Sequence, residues 1–479
     1  MNANRIVRRH PALAILFIVT ALAFRPAVAH AAATIVILNT DAANVGFNDP
    51  TPAAPVGGNP GTTLGQQRLN VFQAAANIWG AQLNSVPTIV IDAAWAALAC
   101  NANAATLGSA GATQVFSSAI FPFANTWYNV ALANKLFGAQ IDPTTPQIRA
   151  RFNVNLGQPG CLTGTFFYLG LDNNHGPNVD LATVLLHEFA HGLGFQSFVS
   201  LNTGSLLGPP FQPGIFNRFQ LDNQTNKFWD VMTNAERLAS SVNTRRVVWT
   251  GANVTGSVNS VLFPNTPRLQ TTAPASLAGN YLVGLAQFGP ALTSPGVSGE
   301  VMPLSGTGNQ LLGCDPFSAA NVAAVSGKIA LIDRGVCGFA VKTKNAQDAG
   351  AIGVIMVNNA AGSPPPGMGG VDPTIGIPTV MITQADGSQF KSFLKFRSRT
   401  HSGMFSTLGV DPNIRQGADA AGRVMLYTPN PNVPGSSVSH WDQSAFANLL
   451  MEPNINGDLT HNVSTPFDLT LQFLIDLGW

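Results

Sequence analysis

Two histidines four apart with a glutamate between them, His187-Glu188-Phe189-Ala190-His191, constrain this chain more than anything else in it. On a helix, side chains four apart leave from the same face, so both imidazoles can reach one metal ion. The glutamate sits one step round, close enough to hold a water beside that ion. Such a triplet offers two zinc ligands and a general base. A helix must therefore form here, and its ends are written in the sequence. Asp180 is a good N-cap, residues 181–186 are apolar and helix-compatible, and Gly192 and Gly194 end the run.

At 479 residues the chain can hold two or three domains, each with a full core. Net charge is +1 and only 10% of residues are charged, so no nucleic-acid partner is expected. The one basic cluster, Arg5, Arg8 and Arg9, precedes an apolar run at 11–24 and small residues at 27–33. We read residues 1–32 as a cleaved signal peptide, because that run is short for a bilayer span. No later stretch is long and apolar enough to span either, so a secreted or extracytoplasmic chain is expected. Four cysteines in an exported chain suggest two disulfides. Cys314 and Cys337 flank one compact region and make the favoured bond, which leaves Cys100 for Cys161; sequence does not fix the pairing.

Along the chain, a strand is expected at 33–39 and an amphipathic helix at 64–83. That helix has Leu69, Phe72, Ala76, Ile78 and Trp79 as its apolar positions. A strand at 86–92, a helix near 146–152 and a strand at 165–170 follow. From about 267 the character changes. Residues 329–332 and 352–357 are short continuous apolar runs of the kind found in strands buried on both faces. A helix at 339–350 joins them, and a strand at 376–383 and a helix at 384–393 come after. Near 411 the polar, loop-rich character returns. The expected class is α+β: a zinc-binding domain built from 33–266 and 411–479, interrupted by an α/β module at 267–410.

Catalytic zinc needs a third protein ligand and an open position. In one large peptidase class the motif continues as His-Glu-x-x-His-x-x-Gly-x-x-His. Here Gly194 fits that pattern, but the ligand position is Ser197. His440 ranks first as the replacement, with Met451 following it in a turn context; Glu236 is the carboxylate alternative, and a site of two histidines alone stays open. His401 sits among basic residues, His461 follows Met451 in the wrong order, and His175 precedes the helix.

The run His187 to Phe195, a long insertion, then Ser439-His440-Trp441-Asp442 and Met451 resembles the leishmanolysin-type branch of the metzincins. The segment at 280–400, with Gly327-Lys-Ile-Ala-Leu-Ile-Asp-Arg-Gly, is similar to protease-associated (PA) domains, and 465–479 resembles the closing helix of bacterial members of that branch. The resemblance implies a metzincin-like zinc peptidase domain interrupted by a PA domain. His187, His191 and His440 would be the zinc ligands, Glu188 the general base toward a zinc-activated water, and Met451 the Met-turn residue. It implies a secreted endopeptidase acting on proteins or peptides with one catalytic zinc; calcium is possible but nothing in the sequence supports it. Asp442 could orient a ligand, although a turn aspartate is the plainer reading. Two alternatives stay open: an exported binding or adhesion protein whose peptidase site has decayed or is latent, with the PA-like domain as its working part, and a zinc hydrolase of non-peptide amides.

Overall fold

In the computed structural model, residues 32–479 are described; the signal-peptide reading falls outside them except for Ala32. The first sheet has four strands in the order Ile35–Asn39, Ile89–Ala96, Ile148–Asn153 and Gly108–Ala112. The first three are parallel and the last runs antiparallel at the edge. Along Ile89–Ala96 buried and half-buried residues alternate, the period-two pattern of a strand with one face on a core.

Residues 146–152, expected to be helical, instead form most of the strand Ile148–Asn153. Ile148, Ala150 and Phe152 are buried, while Arg149 and Arg151 project from the other face to Asp92 at 3.4 and 3.1 Å. So short a window holds fewer than two helical turns, and pairing with a neighbour on each side decides the conformation. The strand expected at 165–170 shrinks to Phe167–Tyr168, paired in parallel with Val179–Asp180.

The helix Leu64–Gln82 is capped by Thr63, whose side chain accepts the Gln66 N–H. Its buried face is Val71, Phe72, Ala75, Ala76 and Trp79; the expected Leu69 is exposed instead. Full burial of Phe72 contributes about 2–3 kcal/mol. Trp79 Nε1 donates to the Leu186 carbonyl at 3.1 Å, pinning this helix to the one that carries the histidine pair.

Residues 266–411 supply all eight strands of a second sheet. Its order is Gly279–Tyr281, Thr266–Ala273, Phe405–Asp411, Val297–Pro303, Ile329–Asp333, Gly353–Val357, Thr379–Ile382 and Gly284–Leu285. Four consecutive strands, from Val297–Pro303 to Thr379–Ile382, are parallel. Ile329 and Leu331 pack with Phe390 and Leu394 on one face, while Ala330 and Ile332 pack with Val325 and Ala346 on the other. Two covered faces require apolar residues at every position, which is why these strands read as unbroken runs. Cys314–Cys337 closes with its Cα atoms 5.7 Å apart and Cys100–Cys161 with 5.1 Å, the pairing favoured from sequence. A separate core combines residues from Ala33 to Leu262 with residues from Ala418 to Leu477, so the chain leaves this core for the second sheet and returns to it.

Candidate metal centre

The helix Leu181–Leu193 is buried along its whole length, which few helices with two histidines and a glutamate could tolerate without a use for them. Asp180 caps it as expected: its Oδ2 accepts the Thr183 N–H at 2.9 Å and the Thr183 hydroxyl at 2.6 Å. The same oxygen accepts His461 Nε2 at 2.7 Å. Gly192 lies inside the helix rather than ending it. A Cβ there would stand 2.5 Å from Ile148 Cγ2, so glycine permits the close approach of helix to sheet. Gly194, at φ +148°, is the C-cap, and a Cβ on it would stand 2.6 Å from Leu477 of the helix Thr470–Leu477.

His440 meets the pair across 249 residues. The three Nε2 atoms form a near-equilateral triangle: His187 to His191 at 3.1 Å, His191 to His440 at 3.2 Å, and His440 to His187 at 3.2 Å. Each ring is oriented through its other nitrogen. His187 Nδ1 donates to the Leu450 carbonyl at 2.7 Å, His191 Nδ1 to Phe195 at 2.6 Å and His440 Nδ1 to Ser436 at 2.8 Å. A carbonyl can only accept, so each Nδ1 carries the hydrogen and each neutral ring turns the lone pair of Nε2 inward. Burial holds all three rings neutral: it pushes His187, with help from His191, down to about 3, His191 to about 4, and His440 well below the usual imidazole range.

Three converging lone pairs repel one another unless a cation lies between them. Ligand nitrogens at about 2.0–2.1 Å from a tetrahedral ion lie about 3.3–3.4 Å apart, close to the triangle seen here, and an all-imidazole set suits zinc. Among the described residues, this is the one group of three or more His, Cys, Asp or Glu placed to share an ion.

Glu188 is buried beside the antiparallel edge strand, and its carboxylate accepts the Ala110 N–H. Burial pushes its pKa up to about 8, against that hydrogen bond. Ladder bonds at Leu107 and Thr113 turn the odd residues of the edge strand toward Ile148–Asn153. The backbone groups of Gly108, Ala110 and Ala112 therefore face the open side.

Met451 is fully buried in a turn fastened from two sides. Leu449 N–H donates to Glu452 Oε1 at 2.8 Å and Leu450 N–H to Asp468 Oδ2 at 2.7 Å. Because the Leu450 carbonyl also orients His187, this turn is tied directly to the three-histidine cluster. Neither Glu452 nor Asp468 was marked by the sequence, nor were the three carbonyls, since a backbone acceptor has no residue signature.

The remaining candidates lie elsewhere. Glu236 is bound to Lys227 at 2.6 Å and closes a capping box with Thr233. His401 is exposed beside Glu300, and His175 bonds the Asn178 carbonyl. Asp442 holds Arg245 at 3.0 Å and Ser444 and bonds no histidine among the described residues. Ser197, in the position where a third histidine was looked for, donates its N–H to Ser439 Oγ at 3.2 Å. The serine thus lies against the segment that delivers His440 instead.

Residues 297–390 match the family model of the PA domain, so the second sheet contains one. Leucine aminopeptidase 2 of Arthroderma otae is 48% identical over 68 residues, 14% of this chain and 14% of that protein. ER degradation-enhancing alpha-mannosidase-like protein 3 of Homo sapiens is 44% identical over 80 residues, 17% of this chain and 8% of that protein. The chain thus spans about a seventh of the length of the first of these relatives, and two proteins named for different activities share matches of similar length. Among solved structures, a zinc aminopeptidase of Bacillus subtilis is 25% identical over 33% of this chain and 36% of its own. Its TM-score of 0.22 is too low to bear on the fold of the whole.

Proposed function

We propose that the mature chain is a secreted, zinc-dependent endopeptidase of metzincin type, resembling the leishmanolysin branch, with a PA domain inserted between its second and third metal ligands. The observation that carries this is the triangle of three buried Nε2 lone pairs with a glutamate on the same helix. His187, His191 and His440 would hold the ion. Bound there, zinc would supply Lewis-acid chemistry, lowering the pKa of water and polarising a carbonyl.

The chain's own residues do the rest. Glu188 takes a proton from the attacking water and returns it to the leaving amine. Its raised pKa belongs to the metal-free site; a dication beside it would favour the carboxylate. The Ala110 N–H fixes the carboxylate while it accepts and releases the proton. Apart from the Ala110 N–H held by Glu188, the open-side groups of Gly108–Ala112 offer an edge to which an extended peptide can add as a further strand, favouring cleavage within a chain over trimming at its end. Met451 packs within the turn that orients His187. Two disulfides fit an oxidising compartment outside the cytoplasm.

The test is cleavage of a peptide blocked at its amino terminus, by the zinc-loaded chain and its Glu188→Ala variant. Internal cleavage by the first and none by the second is expected. Hydrolysis confined to unblocked peptides would replace the endopeptidase reading with an aminopeptidase one, and equal activity in both would remove Glu188 from the reaction.

A further inference from the structure

We propose that the cleft between the PA-containing sheet and the metal-binding part is an exosite for a carboxylate side chain of a peptide substrate. The proposal rests on the peptidase reading above and gives it a substrate preference. The cleft encloses about 470 Å³, within the range of about 300–1,000 Å³ typical of ligand sites. Arg268 lines it from the sheet; Arg245, Arg246 and Arg423 line it from the other part.

Three of these arginines are each paired with one aspartate. Arg245 Nε meets Asp442 at 3.0 Å, Arg268 Nη1 meets Asp411 at 2.7 Å, and Arg423 Nη2 meets Asp419 at 2.7 Å. Asp411 and Asp419 line the cleft beside their arginines while Asp442 does not, and each aspartate is less exposed than its partner. Arg245 and Arg268 each use one nitrogen on their aspartate, leaving further N–H donors free of acceptors among the described residues. Arg246 is exposed, and its side chain has no partner there at all. Four arginines against three aspartates leave one net positive charge at Arg246.

That arrangement selects its ligand. A planar guanidinium matches a carboxylate through two parallel hydrogen bonds. A single net charge suits one carboxylate and is too little for a polyanion, whose affinity grows with the number of charges neutralised. Leu282, Ile414 and Met425 are among the other lining residues, apolar surface that a peptide can use and an inorganic anion cannot. The cleft also adjoins the segment carrying the third histidine. Asp442, held by Arg245, follows His440 by two residues and donates its N–H to the Met425 carbonyl.

The experiment is fluorescence polarisation with a short labelled Leu/Glu peptide and its Leu/Gln counterpart. The full mature chain carries Glu188→Ala so that nothing is cleaved. The Glu peptide should bind about tenfold more tightly, the worth of one charged hydrogen bond at a half-open site. Arg246→Gln should abolish the difference without disturbing the fold, since that side chain bonds nothing. Arg246→Lys, which keeps the charge but not the fork, should restore it in part. Equal binding of the two peptides would overturn the proposal, as would an unchanged preference in Arg246→Gln. Displacement by inorganic phosphate at the same concentration as the peptide would also overturn it, marking an anion site only. Because binding is read on an inactive variant, a chain that cleaves nothing would sink the peptidase reading alone. A peptidase indifferent to carboxylates would sink only the exosite.

Discussion

Replacing Asp180 by alanine removes three hydrogen bonds from the start of the helix that carries His187 and His191. Two go to Thr183 and cap the helix; the third holds His461 from the C-terminal segment. Loss of the cap costs about 1 kcal/mol. Leaving the largely buried His461 nitrogen without an acceptor adds about 1–3 kcal/mol. The total of about 2–4 kcal/mol should lower Tm by about 4–8 °C, at about 2 °C per kcal/mol for a large unit. Asp180→Asn keeps a capping oxygen and should lose less. Burial alone would raise the Asp180 pKa, but the hydrogen bonds from His461 and Thr183 outweigh it and hold it below its ordinary 3.8. Its contribution is therefore complete above about pH 4 and lost as pH falls through the lowered value, a dependence Asp180→Asn should lack. Thermal unfolding of the metal-free chain, followed by circular dichroism across acidic pH, measures both effects. An alanine variant within about 0.5 kcal/mol of the parent would refute the capping argument.

Glu452 predicts the opposite sign. Burial raises it from 4.5 to about 8, so its stabilising neutral form is fully present below about pH 4.5 and lost as pH rises through about 8. Urea unfolding of Glu452→Gln should show a flatter stability profile between those limits and a gain at pH 8; a parallel profile would remove Glu452 as the cause. Cys314→Ser with Cys337→Ser opens a loop of 23 residues and should cost about 3 kcal/mol. Limited proteolysis should then cut first within residues 266–411, and cuts elsewhere would contradict an independent core there. Gly192→Ala forces the helix away from Ile148 and should destabilise by about 1–3 kcal/mol, despite alanine's better helix propensity. A more stable variant by calorimetry would contradict the close-approach reading.

The histidine helix was legible because period, cap and motif agree within one short stretch, and the strands at 329 and 353 because their apolar runs are unbroken. His440 was legible only by ranking the remaining histidines against Met451 and by resemblance, since nothing local ties it to His191 over 249 residues. Ile148–Asn153 was misread because so short a window does not distinguish the two periods; its arginines lie on the side of the sheet that meets Asp92. The edge strand Gly108–Ala112, composed of Gly, Ser and Ala, carries no strand propensity, and its pairing partner alone makes it one. The acids that brace the Met451 turn were invisible for a similar reason: their role is set by which backbone N–H the fold brings to them.

The most direct test is the zinc content of the purified mature chain after dialysis against dilute zinc, measured by elemental analysis beside the His440→Ala variant. One zinc per chain, retained by the parent and lost by the variant, is the predicted result. A parent that retains no zinc, or a variant that keeps it as firmly, would contradict a centre built by His187, His191 and His440.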